Sequence, residues 1–281
     1  MYYRAYLQYA IGMRPCHNQR HILSVLRVTL ASLLANLMII LASITPIHAS
    51  PVLVWSDNFT ANNLDTSKWT AVNEPSWNRY ERESYSYNNA YIWHGGLVLK
   101  SDRLQGNVYT SGEVNTAHTF SFTYGIVDIR AKLPRGQGIW PAFWLLSSNC
   151  QMYPSTTSGC AVTPKAGYGE IDIMEMLGQN PNYMYMTNHF GSVPGQNLSH
   201  QCTYTGPDYS ADYHVFSINW QPDSITWMID GVPRCKQSDG VPSGPMFLVM
   251  NTAIGGMFPG NPNLTTQFPQ YTEISYVHIS Q

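Results

Sequence analysis

Past residue 50 the apolar positions recur with period two: Val127, Ile129, Ala131 and Leu133 alternate with Asp128, Arg130 and Lys132. Such alternation predicts half-buried strands, because successive side chains of a strand point to opposite faces. Val215 to Trp220 and Ile225 to Ile229 flank Gln221-Pro222-Asp223-Ser224, and Asp230-Gly231 follows, so these runs read as hairpins. No long segment after residue 50 carries a helical stripe, and 21 Gly and 18 Pro punctuate the chain. The pattern predicts an all-β fold, an antiparallel β-sandwich. No repeat, charge run or low-complexity linker interrupts it, so residues 50–281 read as one domain.

Residues 1–49 follow a different pattern. Val28 to Ile44 is uncharged and mostly apolar, lies behind Arg20 and Arg27, and leads into Thr45, Pro46, Ile47, His48 and Ala49. The run is at the short edge of the roughly 17 to 25 residues that span a bilayer. It reads as a secretory signal cleaved after Ala49, with an uncleaved anchor as the alternative. Met13 would begin a more ordinary leader. The segment holds Arg4, Arg14, Arg20 and Arg27 and no acid, so its removal makes the chain more acidic.

Composition narrows the partners. Charged residues are 11% of the chain, against roughly 25% in ordinary soluble domains. Lys and Arg number 15 against 17 Asp and Glu, so no basic surplus exists to neutralise phosphates or hold an anionic bilayer. Neither nucleic acid nor, after signal removal, a membrane is an expected partner. The polar weight falls on Asn, Ser, Thr and 19 Tyr, which with 8 Trp suit a neutral ligand. Cys16 leaves with the leader, and Cys150, Cys160, Cys202 and Cys235 remain, an even number in an exported chain. Two disulfides are expected. Of three pairings the favoured one joins Cys150 to Cys160, closing a Ser/Thr/Gly-rich loop, and Cys202 to Cys235, tying a loop to a strand end. Zinc is the weaker alternative, since no C-x-x-C pair or neighbouring His accompanies them. The nine His form no pair at ligand spacing with acidic company, so no catalytic metal is expected.

Three carboxylates punctuate an otherwise apolar strand, Gly169 to Met176. In a pleated strand Glu170 and Asp172 share a face while Ile171 and Ile173 face the core. Glu175 lies five residues from Glu170, an odd step that would turn it away. One extra residue, a β-bulge near Ile173 and Met174, restores it to the carboxylate face. Two Glu brought together in this way meet the ~5 to 5.5 Å that a retaining glycosidase needs between nucleophile and acid/base. Crowding predicts that one carboxyl has a raised pKa and serves as the acid. A calcium site or an acidic strand edge is the alternative, but calcium usually draws its ligands from a loop.

With this strand the chain resembles glycoside hydrolase family 16, in particular its laminarinase-like members with the E-x-D-x-x-E pattern. The likeness extends through Val54 to Phe59, Tyr109 to Gly112, Tyr124 to Pro134, Gly138 to Trp144, Asn251 to Gly256 and Phe268 to Gln270. It implies a concanavalin A-like jelly roll with an open cleft on its concave sheet, and retaining hydrolysis of internal β-linkages. By the same resemblance Glu170 is the nucleophile, Glu175 the acid/base, and Asp172 the residue that orients the nucleophile. Trp140 and His189 match positions that contact sugars near the scissile bond, and Trp77 lies where a more distant subsite is usually built. For Trp140 a place in the core beneath the cleft is the alternative; Trp144, Trp220 and Trp227 are assigned to the core.

The chain departs from the family at Trp77-Asn78-Arg79-Tyr80-Glu81 and at three further places. Lys165-Ala166-Gly167-Tyr168 stands where Trp-Pro is frequent, with Tyr168 as the substitute ring, and Phe258 stands where Trp is frequent. Many members hold a structural calcium through carboxylates whose positions here look like Asn58 and Ser275. Losing two anionic ligands predicts weak or absent calcium and no required cofactor. The expected activity is a secreted, monomeric endo-β-1,3-glucanase that also accepts mixed β-1,3/1,4-glucan. An agarase-like galactan hydrolase, a transglycosylase and a non-catalytic β-glucan-binding protein are the alternatives. The last is disfavoured because both Glu are present.

Overall fold

The computed structural model describes residues 50–281 apart from 77, 79, 152–158, 161–168 and 191–197. The leader, Trp77 and Tyr168 lie outside the described residues. Among those described, strands form two large sheets. One has seven strands in the order Leu198–Thr205, Tyr183–Phe190, Gly169–Met176, Ile139–Ser147, Met246–Ile254, Glu113–Asn115 and Thr70–Ala71, paired antiparallel throughout. The other has ten, with Val232–Gln237, Ser224–Ile229, His214–Gln221, Gly125–Lys132, Gln270–Ser280 and Gly96–Arg103 in sequence across it. One pair departs from the antiparallel expectation: Glu83–Tyr85 runs parallel to Tyr109–Ser111. The architecture is the expected jelly-roll sandwich. The only helical turns among the described residues are 3-10 turns at Tyr87–Asn89 and Gln105–Asn107.

The alternation does what period two demands. In Gly125–Lys132 every second residue is buried, and Val127, Ile129 and Ala131 are fully so. They meet Phe143, Ile171, Met174 and Leu248 from the seven-stranded sheet in one core. The hairpins close where Pro and Gly signalled: Gln221 pairs with Ser224, and Ile229 with Val232. In the second turn Asp230 (φ 53°) and Gly231 (φ 72°) are both left-handed, as a two-residue primed turn requires.

One expectation fails for a physical reason. Cys202 sits within the strand Leu198–Thr205 rather than in a loop, and its disulfide to Cys235 joins an edge strand of one sheet to an edge strand of the other. That strand is polar and largely exposed, so it lacks the apolar face that marks a strand in sequence. Cys150 is disulfide-bonded and stands opposite Cys160 in a short two-stranded ladder. Trp144 is buried as expected, in a second core cluster with Ala142, Leu146, Phe247 and Val249. These residues alternate with the core-facing Phe143, Leu145 and Leu248, and so form the opposite, cleft-side face of the same strands.

Candidate active site

The bulge is where the spacing required it. Going from Asp172 to Glu175 the central strand advances three residues, while its neighbours advance two, from Thr187 to Tyr185 and from Trp144 to Ala142. Glu175 is thereby returned to the face of Glu170 and Asp172, and all three line one cleft of about 330 Å³. The bulge also turns Ile173 and Met174 both into the core. A bulge interrupts the ladder and frees backbone groups, which must find partners when buried. The indole N–H of Trp227, from the opposite sheet, donates to the Asp172 carbonyl (2.8 Å). A core Trp therefore holds the bulge from behind.

On the cleft side the carboxylates are tied to named partners. Trp140 Nε1–H donates to Glu175 Oε1 (3.0 Å). His189, paired with Glu170 across the ladder, places Nε2 3.1 Å from Asp172 Oδ2 and 3.8 Å from Glu170 Oε1. Asp172 and Glu170 hydrogen-bond to each other, so the pair shares a proton. One raised pKa was expected, but all three carboxyls are raised because burial acts on each. Burial, then the Asp172 charge, push Glu170 to about 8. Burial pushes Asp172 to about 7, against the Glu170 hydrogen bond. Glu175 is held well above its ordinary value by burial, then by the charges of Asp172 and Glu170. Its side chain is the more enclosed of the two Glu: the residue is 9% exposed, whereas the Glu170 side chain is 31% open to the cleft. Glu175 therefore meets less water than Glu170 does.

Of the aromatic candidates, Trp140 and Phe258 line the cleft, so Trp140 is not a core residue. They meet edge to face (5.3 Å between ring centres), and Phe258 meets Tyr185 likewise (4.9 Å). The sequence reading missed Asn78, Glu81, Gln201 and Asn251, all of which line the cleft. Asn251 accepts from Trp144 Nε1 (2.9 Å) and donates to the Tyr85 hydroxyl (2.9 Å), which fixes the floor. Its place in a family-like segment was visible, but its partners lie far along the chain. Among the described residues no Lys or Arg lines the cleft.

The residues at the family's calcium position do not fit that ion. Asn58 Oδ1 is taken by His278 Nε2 (2.8 Å), and Ser275 Oγ accepts from the Arg130 guanidinium (3.1 Å), a fixed positive charge. Among the described residues, Glu170, Asp172 and His189 are the one set of three such side chains with converging ligand atoms, within 4.8 Å of one another. Among the same residues no helix is long and apolar enough to cross a membrane.

A carboxylate trio on a bulged strand, walled by aromatic rings, can protonate a leaving oxygen and attack from one side of a sugar. The laminarinase catalytic domain from Thermotoga maritima superposes on this fold with a TM-score of 0.72 at 35% identity, covering 83% of this chain and 99% of that one. Glucan endo-1,3-beta-glucosidase A1 of Niallia circulans is 34% identical over 272 residues, 83% of this chain but 38% of its own length. The beta-glucanase of Rhodothermus marinus is 32% identical over 254 residues, 81% of this chain and 84% of that one. The family model for glycosyl hydrolases family 16 matches residues 76–277. The chain belongs to glycosyl hydrolases family 16.

Proposed function

We propose that this glycoside hydrolase is an endo-acting β-1,3-glucanase that also takes mixed β-1,3/1,4-glucan and works by double displacement. The observation that carries the reading is the bulged strand, which brings Glu170, Asp172 and Glu175 into one aromatic-walled cleft. Glu170, the more open carboxylate, attacks the anomeric carbon once the shared proton rests on Asp172. Glu175 gives its proton to the leaving oxygen and then takes one from water. Asp172, steadied by His189, orients Glu170. A lining with four carboxylates, Glu81 among them, and no Lys or Arg among the described residues favours an uncharged polymer over a sulfated one. The Cys202–Cys235 disulfide supports an oxidising, extracellular destination for which residues 1–49 are the leader.

The test is reducing-sugar release from laminarin, mixed-linkage glucan, agarose and carrageenan by the wild type and Glu170→Gln. Release from laminarin and mixed-linkage glucan, lost in the variant, is the expected result. Release confined to a galactan keeps the chemistry and overturns the substrate. Binding of laminarin without release makes the protein a recognition module.

A further inference from the structure

Two carboxyls outside the catalytic trio stand at the C-terminal end of Met246–Ile254, a strand that borders the cleft. Glu81 lines the cleft, held by the Ser76 hydroxyl, which donates to Oε2 (2.5 Å), and by a backbone bridge to Gly255. Glu83, two residues on, is 3% exposed. Its Oε2 accepts from the Ile254 N–H (2.8 Å), and no N–H or O–H of the described residues reaches Oε1. The side chains of Glu81 and Glu83 hydrogen-bond to each other. Two carboxylates cannot do this unless one holds a proton. Glu83 is the holder, because burial and then the Glu81 charge keep its carboxyl well above the ordinary range. Arg82, between them in sequence, is turned away to Asn261 Oδ1 (2.6 Å). What faces the cleft is a carboxylate fixed by neutral donors.

We propose that Glu81 is a specificity-determining residue. Its carboxylate, held by Ser76 and by the carboxylic acid of Glu83, accepts hydroxyl hydrogen bonds from an uncharged sugar ring beside it in the cleft. It also repels a ring carrying sulfate or carboxylate there. Glu83 acts through Glu81 and is a positioning residue. A charged acceptor forms stronger hydrogen bonds than a neutral one, and fixing it in advance spares the cost of ordering it on binding. This rests on the glucanase reading above.

The test is kcat and KM on laminari-oligosaccharides of increasing length, and on laminarin before and after partial sulfation. The wild type is compared with Glu81→Gln, Glu83→Gln and Glu83→Leu, with thermal unfolding as the check on folding. Glu81→Gln raises KM on the order of tenfold on oligosaccharides long enough to reach residue 81, with kcat within about twofold. It also narrows the preference for unsulfated laminarin. Glu83→Leu weakens binding likewise. Glu83→Gln, whose amide donates to Glu81 and accepts from Ile254, restores most of the loss. An unchanged KM in Glu81→Gln beside an active wild type overturns this inference alone, as does a Glu83→Gln no better than a folded Glu83→Leu. A wild type that leaves every glucan intact overturns the glucanase reading and this one with it.

Discussion

Trp227→Phe tests whether the bulge is held from the core. Trp227 and Trp220 are both fully buried, and each donates its indole N–H to one backbone carbonyl: Trp227 to Asp172 (2.8 Å) and Trp220 to Pro242 (3.0 Å). Replacing either by Phe leaves a buried carbonyl without its donor, about 1 to 3 kcal/mol, and adds a smaller loss for the missing ring atoms. We expect about 3 kcal/mol for each variant, or roughly 6 to 12 °C in Tm for a domain of this size. The two differ in what the carbonyl belongs to. Asp172 precedes the extra residue that turns Glu175 into the cleft, so freeing its carbonyl lets the carboxylates drift. A displacement of a fraction of an ångström costs on the order of tenfold in kcat. Trp220→Phe loses stability with kcat unchanged, because Pro242 carries no catalytic group. The assays are thermal unfolding and laminarin hydrolysis well below both midpoints. Equal kcat in the two variants, or a stability loss under about 1 kcal/mol for Trp227→Phe, refutes the reasoning.

The carboxylates make further predictions with definite signs. Asp172→Asn removes the largest charge acting on Glu175 after burial, so the alkaline limb of kcat/KM moves to lower pH. Trp140→Phe removes the hydrogen bond that favours ionised Glu175 and moves that limb higher; a limb moving against its sign in either variant contradicts that assignment. Glu170 is raised from 4.5 to about 8 in the folded state, so ionising it costs stability as pH rises through that window. Glu170→Gln is accordingly stabilised relative to wild type at pH 9 more than at pH 4, read by denaturant unfolding at each pH. Opening the Cys202–Cys235 bridge, which spans 33 residues, costs about 4 kcal/mol on chain-entropy grounds, measured as the fall in unfolding free energy of the double Ser variant.

What the sequence made legible was whatever local counting can reach. Alternation in Gly125–Lys132 marks one buried face, and the five-residue step from Glu170 to Glu175 demands a bulge, since nothing else puts both on one face. Pro222 and Asp230-Gly231 close their hairpins by backbone preference alone. A strand buried on both sides carries no such period. Met246–Ile254 is buried at every residue, so no period separates core-facing Leu248 and Met250 from cleft-facing Val249 and Asn251. The raised pKa values were underestimated because counting carboxylates gives their repulsion but not their depth, and depth is the larger cause for all three.

Glu81 was missed differently, and its omission shows what a second carboxyl pair requires. Glu-Arg-Glu at residues 81–83 carries no local pattern that sets the two acids apart from the base between them. The fold separates them instead. Alternation sends Arg82 to Asn261 on one side and both Glu to the other, where Glu83 meets the Ile254 N–H and Glu81 meets Ser76. With its sequence neighbour turned away, the pair holds together by retaining a proton, as Glu170 and Asp172 do at the reaction centre. Among the described residues the cleft thus meets a polymer of hydroxyl groups with carboxyls held by protons and neutral donors rather than by Lys or Arg, so its acceptors stay available to the sugar. A Lys introduced at Ala253, on the cleft floor, would supply such a cation. It should weaken binding of neutral glucan and relax discrimination against sulfated glucan, and KM values on the two polymers moving in parallel would show that charge plays no part.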